Sequence, residues 1–79
     1  MNYARIEKSN RLQVLYRALK RAGKKGLTTA GLIDATASVA PHSDVAELRA
    51  NGYEVSCKYE ARTRNGRRIY RYRLLGARL

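Results

Sequence analysis

Tyr53-Glu54-Val55-Ser56-Cys57-Lys58-Tyr59-Glu60-Ala61-Arg62-Thr63-Arg64-Asn65-Gly66-Arg67-Arg68-Ile69-Tyr70-Arg71-Tyr72-Arg73-Leu74 is the stretch that decides the fold. Tyr53, Val55, Cys57, Tyr59 and Ala61 alternate with polar residues, which is the period of a half-buried strand. Asn65-Gly66 is a favoured dipeptide for a type I′ hairpin turn. A two-residue turn there pairs Ala61 with Tyr70, Tyr59 with Tyr72 and Cys57 with Leu74, all on one face. The other face pairs Glu60 with Arg71 and sets Lys58 against Arg73. A one-residue slip would scatter the apolar set over both faces, so the hairpin is well specified. In this register Cys57 is expected inside as a small hydrophobe, and Tyr59 and Tyr72 meet beneath the helices. The four hairpin tyrosines are accordingly read as packing groups in preference to exposed stacking platforms.

Upstream of the hairpin the period is helical. Leu12, Leu15, Leu19 and Ala22 recur at helical spacing, widened by Val14 and Ala18. Ser9 or Asn10 can cap this helix, with Gln13 at capping-box distance from Asn10, and Gly23 can end it after Lys20 and Arg21. A first helix over Asn10–Ala22 is predicted. A turn at Lys24-Lys25-Gly26 follows, with a short strand near Leu27. Thr28 or Thr29 caps a second helix from Ala30 to about Ala37, with Leu32, Ile33 and Thr36 on one side. Ser38-Val39-Ala40 then makes a tight turn, and Pro41 opens a third helix that stops at Asn51-Gly52. Two short helices joined in this way are the skeleton of a helix-turn-helix.

Length and charge narrow the function. Seventy-nine residues make one domain with a modest core, and the net charge is +11. Residues 1–26 contribute +7, residues 27–57 contribute −3, and residues 58–79 contribute +7. Two basic flanks around a near-neutral centre suit a module that grips a phosphate backbone at two places. A single cysteine excludes an intramolecular disulfide. No apolar run reaches the roughly 20 residues of a membrane span, and no signal-peptide pattern opens the chain. A soluble cytoplasmic protein with no membrane partner is expected. Glycine-rich phosphate loops, Cys/His metal spacing and acids paired beside a nucleophile are all absent. Neither enzyme activity, a metal nor a cofactor is therefore expected.

Val45-Ala46-Glu47-Leu48-Arg49-Ala50-Asn51-Gly52-Tyr53-Glu54-Val55 resembles the junction between recognition helix and first wing strand in the small winged helix-turn-helix domains common in bacteriophages and prophages. Tyr70-Arg71-Tyr72-Arg73-Leu74 is similar to the closing strand of that family. The resemblance spans Ser9–Leu75, leaving residues 1–8 as an arm or extra helical turn and 76–79 as a tail. One departure stands out: the position before Val45 is often basic in the family and is Asp44 here. The resemblance implies an α+β winged helix-turn-helix, with three helices followed by a C-terminal hairpin wing. It also implies a sequence-specific DNA-binding protein serving as a transcriptional regulator or an excision or replication accessory factor, associated with the nucleoid of a bacterial host.

The candidate contacts follow from this layout. With Val45 and Leu48 facing the core, a 100° step sends Ser43 and Ala50 outward, with Ala46 and Glu47 beside them. His42, Asp44 and Arg49 fall on the flanks, and Arg49 is counted among the DNA contacts. Ser43 can contact a base or a phosphate, and Glu47 can accept from cytosine. The bland alternative is a solvated face whose Asp44 and Glu47 repel phosphates. Arg62, Arg64, Asn65, Arg67 and Arg68 surround the hairpin tip, where arginine suits phosphates and the minor groove. Lys24 and Lys25, with the helix N-terminus at Thr29, offer a further phosphate contact. His42 is either a DNA contact or an ordinary surface histidine. Double-stranded DNA is the expected partner. A homodimer or another protein partner stays open, as does a module of this fold that binds protein or RNA.

Overall fold

The structure, a computed structural model, describes residues 5–77, and the first four residues of the expected arm lie outside that range. A 3₁₀ turn, Ile6–Lys8, precedes α1 (Asn10–Ala22), and a second 3₁₀ turn, Gly23–Lys25, leads into β1 (Leu27–Thr28). The chain continues through α2 (Thr29–Thr36), α3 (Pro41–Ala50), β2 (Tyr53–Arg62) and β3 (Arg68–Ala77). The strands form one antiparallel sheet in the order β1-β3-β2. Three helices on a three-stranded antiparallel sheet make an α+β arrangement compatible with a winged helix. None of the helices among the described residues is long and apolar enough to cross a membrane.

Local chemistry accounts for the helix ends. The Ser9 Oγ accepts from Leu12 N at 3.3 Å, and Gly23, at φ +59°, closes α1 by donating to Leu19 and Lys20. The Asn10–Gln13 capping box does not form; Gln13 Nε2 donates to the Ile6 carbonyl instead, at 2.9 Å. Thr28 caps α2 by accepting from Gly31 N at 3.1 Å. Thr36 Oγ1 donates to Leu32 O and accepts from Ser38 N, which turns the chain out of α2. Pro41 takes the first position of α3, as its fixed φ favours.

Leu15, Leu19, Leu32, Val45, Leu48, Val55 and Tyr72 form the core cluster. Ile33, expected on the inner side of α2, is 43% exposed. β1 reaches β3 through Gly26, where a Cβ would come within 2.3 Å of the Tyr72 carbonyl oxygen. Only glycine permits that approach, and its φ of +67° suits no other residue well.

The hairpin differs from expectation in register. Asn65-Gly66 is not a two-residue turn. Gly66 N donates to Thr63 O and Thr63 N to Arg67 O, so the loop holds three residues, Arg64-Asn65-Gly66, with Gly66 at φ +80°. A register shift between Tyr59 and Ala61 moves the pairing by one more residue. Together they slide β3 by two positions. Cys57 therefore opposes Tyr72, Tyr59 opposes Tyr70, and Lys58 opposes Arg71. An even slip keeps each tyrosine on its face but moves β2 outward. Tyr59 is 54% exposed, and Cys57 is exposed as well. The sheet order explains this, because β3 lies central under the helices and β2 is an edge strand. β3 also runs past the expected Leu75 boundary to Ala77.

Leu48 is 0% exposed and sits where α3 meets the sheet. Leu48→Ala should lower the unfolding free energy by about 2–5 kcal/mol, measured by denaturant titration of the helical circular dichroism. A loss of no more than about 0.5 kcal/mol, the level of a surface substitution, would contradict this packing.

Candidate nucleic-acid interface

α3 presents Ser43, Ala46 and Ala50 to solvent, as the helical projection predicts. Its acids behave otherwise. Asp44 is 5% exposed, paired with Arg11 Nη1 and accepting from the Ser38 hydroxyl. Ser38 Oγ also accepts from Ala40 N at 3.1 Å, so the Asp44 carboxylate organises the α2–α3 turn. Glu47, expected to face outward as a base reader, is half-buried and accepts from Arg11 Nη2 at 3.0 Å. One arginine from α1 thus neutralises both acids that could repel phosphate. The hydrogen bond to Glu47, working against partial burial, and the charge of Asp44 raise the Arg11 guanidinium pKa.

Arg49 is likewise committed elsewhere. Its Nε and Nη2 both donate to the Val55 carbonyl, at 3.1 and 2.7 Å, clamping the end of α3 to the start of β2. Asn51 completes that corner by accepting from Ile6 N at 2.9 Å. The position named as a DNA contact is here a structural clamp, with its exposed remainder facing solvent.

The hairpin arginines are different. Arg62, Arg64, Arg67 and Arg68 are exposed, and among the described residues none of them is ion-paired. Arg62 and Arg68 stand directly opposite each other across the strand pair. Glu60, the nearest acid in sequence, is taken by Arg71, whose Nη2 donates to Glu60 Oε1 at 3.0 Å. That hydrogen bond holds the Glu60 carboxyl below its ordinary range. Asn65 is exposed at the loop tip.

Lys24 and Lys25 keep exposed side chains, while their carbonyls accept from Arg73 Nε at 2.9 Å and Arg71 Nη1 at 3.0 Å. Those bonds fix the turn against β3. Thr29 is half-buried at the first position of α2. Its hydroxyl oxygen is buried beside the Tyr72 phenol.

A hollow of about 530 Å³ lies between the helix starts and the wing. It brings Thr29, His42, Arg67 and Arg68 together with the apolar walls of Ile33 and Ile69. His42 is more than a surface histidine, because its Nδ1 is hydrogen-bonded to the Tyr72 hydroxyl. Ser43, Arg64 and Asn65 stand outside this hollow. Nothing local in the sequence announced the His42–Tyr72 bond, which joins positions 30 residues apart. Among the described residues, no group of three or more His, Cys, Asp or Glu is placed to hold a metal ion.

Two measurements address this arrangement. Arg11→Met should cost about 1–3 kcal/mol by leaving the buried Asp44 carboxylate short of a partner, and adding Asp44→Asn should recover part of that loss. Full additivity in a denaturation double-mutant cycle would show that the two do not interact. Burial, and then the neighbouring Cys57, pushes the Tyr72 phenol from 10.0 up to about 12. The unfolded chain ionises this phenol near pH 10, while the folded chain keeps it neutral. Its stabilising contribution is whole below pH 10 and disappears as the pH climbs through 12. Urea titrations should show that decline, and Tyr72→Phe should flatten it; an equal slope in both proteins would contradict the burial. The chain matches no family model, no curated protein and no solved structure, so its functional reading rests on this geometry.

Proposed function

We propose that this chain is a winged helix-turn-helix protein that binds double-stranded DNA in a sequence-specific way. In this reading α3 lies in the major groove, and the tip of the β2–β3 hairpin lies on the adjacent backbone or minor groove. The carrying observation is the crowding of Arg62, Arg64, Arg67 and Arg68 around one loop with no carboxylate paired to any of them among the described residues. Like charges directly opposite on paired strands destabilise a hairpin. A polyanion supplies the missing countercharge, and arginine forks suit phosphates.

The face of α3 supports the same reading. Ser43, Ala46 and Ala50 are small, so the helix can approach base edges closely. Because Arg11 engages both Asp44 and Glu47, the face is less repulsive than its acids suggest. Base readout on this helix rests on Ser43, while Lys24, Lys25 and the wing anchor the backbone. Such a protein serves regulation, excision or replication at a DNA site; the fold accommodates each.

Fluorescence-anisotropy titrations against duplex DNA, single-stranded DNA and RNA, each at two salt concentrations, test the proposal. Duplex DNA should bind tightest. Replacing Arg64 and Arg67 with Ala should weaken binding to all duplexes alike and make the slope of log K against log salt shallower by about 2. An unchanged slope would make the wing a spectator. In selection from a random duplex library, Ser43→Ala should recover an altered motif, and the Lys24/Lys25 double replacement the parental one. Tighter binding to RNA than to duplex would overturn the proposal.

A further inference from the structure

The aromatic rings of the wing are not used by the duplex reading. Tyr59, 54% exposed, lies on the same sheet face as Tyr70 and makes an edge contact with it, at 5.9 Å between centroids and 76° between planes. Tyr70 in turn meets the His42 ring at 6.2 Å and 86°. A row of rings therefore runs from the edge of the wing to the start of α3. Tyr70 and His42 line the hollow of about 530 Å³ that Ile33 and Ile69 wall and Arg67 and Arg68 rim, and Tyr59 stands beside it, against the Tyr70 ring.

The chemistry of this place is selective. Its volume falls within the roughly 300–1,000 Å³ of sites that enclose a small molecule. The apolar walls and rings accept a flat, weakly polar group. The arginines, which have no ion pair among the described residues, demand an anion beside that group and repel cations. Glu60, the acid that borders the hollow, is already neutralised by Arg71. Thr29 and Thr63 border the same space. A planar base with an attached phosphate meets all of these demands at once. Stacked bases inside an intact duplex cannot enter such a hollow, whereas an unpaired one can.

We infer that Tyr59, Tyr70 and His42 form a stacking platform that receives an unpaired DNA nucleotide, with Arg67 and Arg68 holding its phosphates. The inference rests on the DNA-binding reading above and adds a substrate class to it. The protein then prefers DNA that carries an extrahelical or branched nucleotide over fully paired DNA of the same sequence.

The test compares a duplex with the same duplex carrying one extrahelical adenine. The parent should bind the bulged duplex about tenfold more tightly, the scale of one base stacked on an aromatic ring. Tyr59→Ala alters an exposed side chain and should melt near the parent temperature. It should bind the fully paired duplex as the parent does and lose most of the preference. Tyr70→Leu supplies a second loss of ring at the same place, with its folding checked by thermal melting. Arg64→Ala should weaken both duplexes alike and keep their ratio. Equal affinity of the parent for both duplexes overturns the platform while leaving duplex binding intact. A preference that survives in both tyrosine variants overturns it too. Failure to bind either DNA overturns the platform and the DNA-binding reading together.

Discussion

The buried phenol of Tyr72 is the constraint on which the rest of this small domain depends. On β3 it opposes Leu27 of β1 and Cys57 of β2, so one residue sits between both strand pairings. Its ring packs in the cluster with Leu15, Leu19, Leu32 and Leu48, while its hydroxyl reaches His42 on α3. A phenylalanine could fill the space but could not bind the histidine. Gly26 is tied to the same place, because any side chain there would strike the Tyr72 carbonyl. The start of α3 and the centre of the sheet are thereby fixed to each other. The orientation of the proposed groove-facing helix relative to the wing follows from that tie.

The second organising feature is how charge is distributed between structure and surface. Arg11, Arg49, Arg71 and Arg73 are used inward, on carboxylates or backbone carbonyls. Arg62, Arg64, Arg67 and Arg68, on the projecting hairpin, have no ion pair among the described residues. Strands of ten residues reach well beyond the helices, consistent with a long axis of 39 Å against 24 and 22 Å for the other two. The crowded charge thus stands far from the core, where water screens it and its destabilising effect on folding is smallest.

Much of the architecture was legible in the sequence, because it follows from local rules. The helical spacing of Leu12, Leu15 and Leu19, the stop at Gly23, Pro41 at the start of α3 and the alternation after Tyr53 all correspond to observed elements. The hairpin register was not legible, since Asn-Gly serves a two-residue I′ turn and Gly alone can close a three-residue loop equally well. The bulge beside Glu60 has no sequence signature of its own. Together they moved Tyr59 and Cys57 from the expected core to the surface. At the candidate site, the exposure of Ser43 and the wing arginines was visible from periodicity. The burial of Asp44, the capture of Glu47 by Arg11 and the use of Arg49 on Val55 were not. Two of these are contacts between distant segments, and the third runs from a side chain to a carbonyl.

Residue-resolved NMR of the labelled protein during titration with a duplex locates the DNA-binding surface. Amide shifts should concentrate at Ser43, Ala46 and Ala50 and along the loop from Thr63 to Arg68. The separate groove between α1 and α2 that Arg17, Arg21 and Ala35 line should stay unperturbed. Shifts centred on that groove, with the wing and α3 unchanged, would contradict this placement.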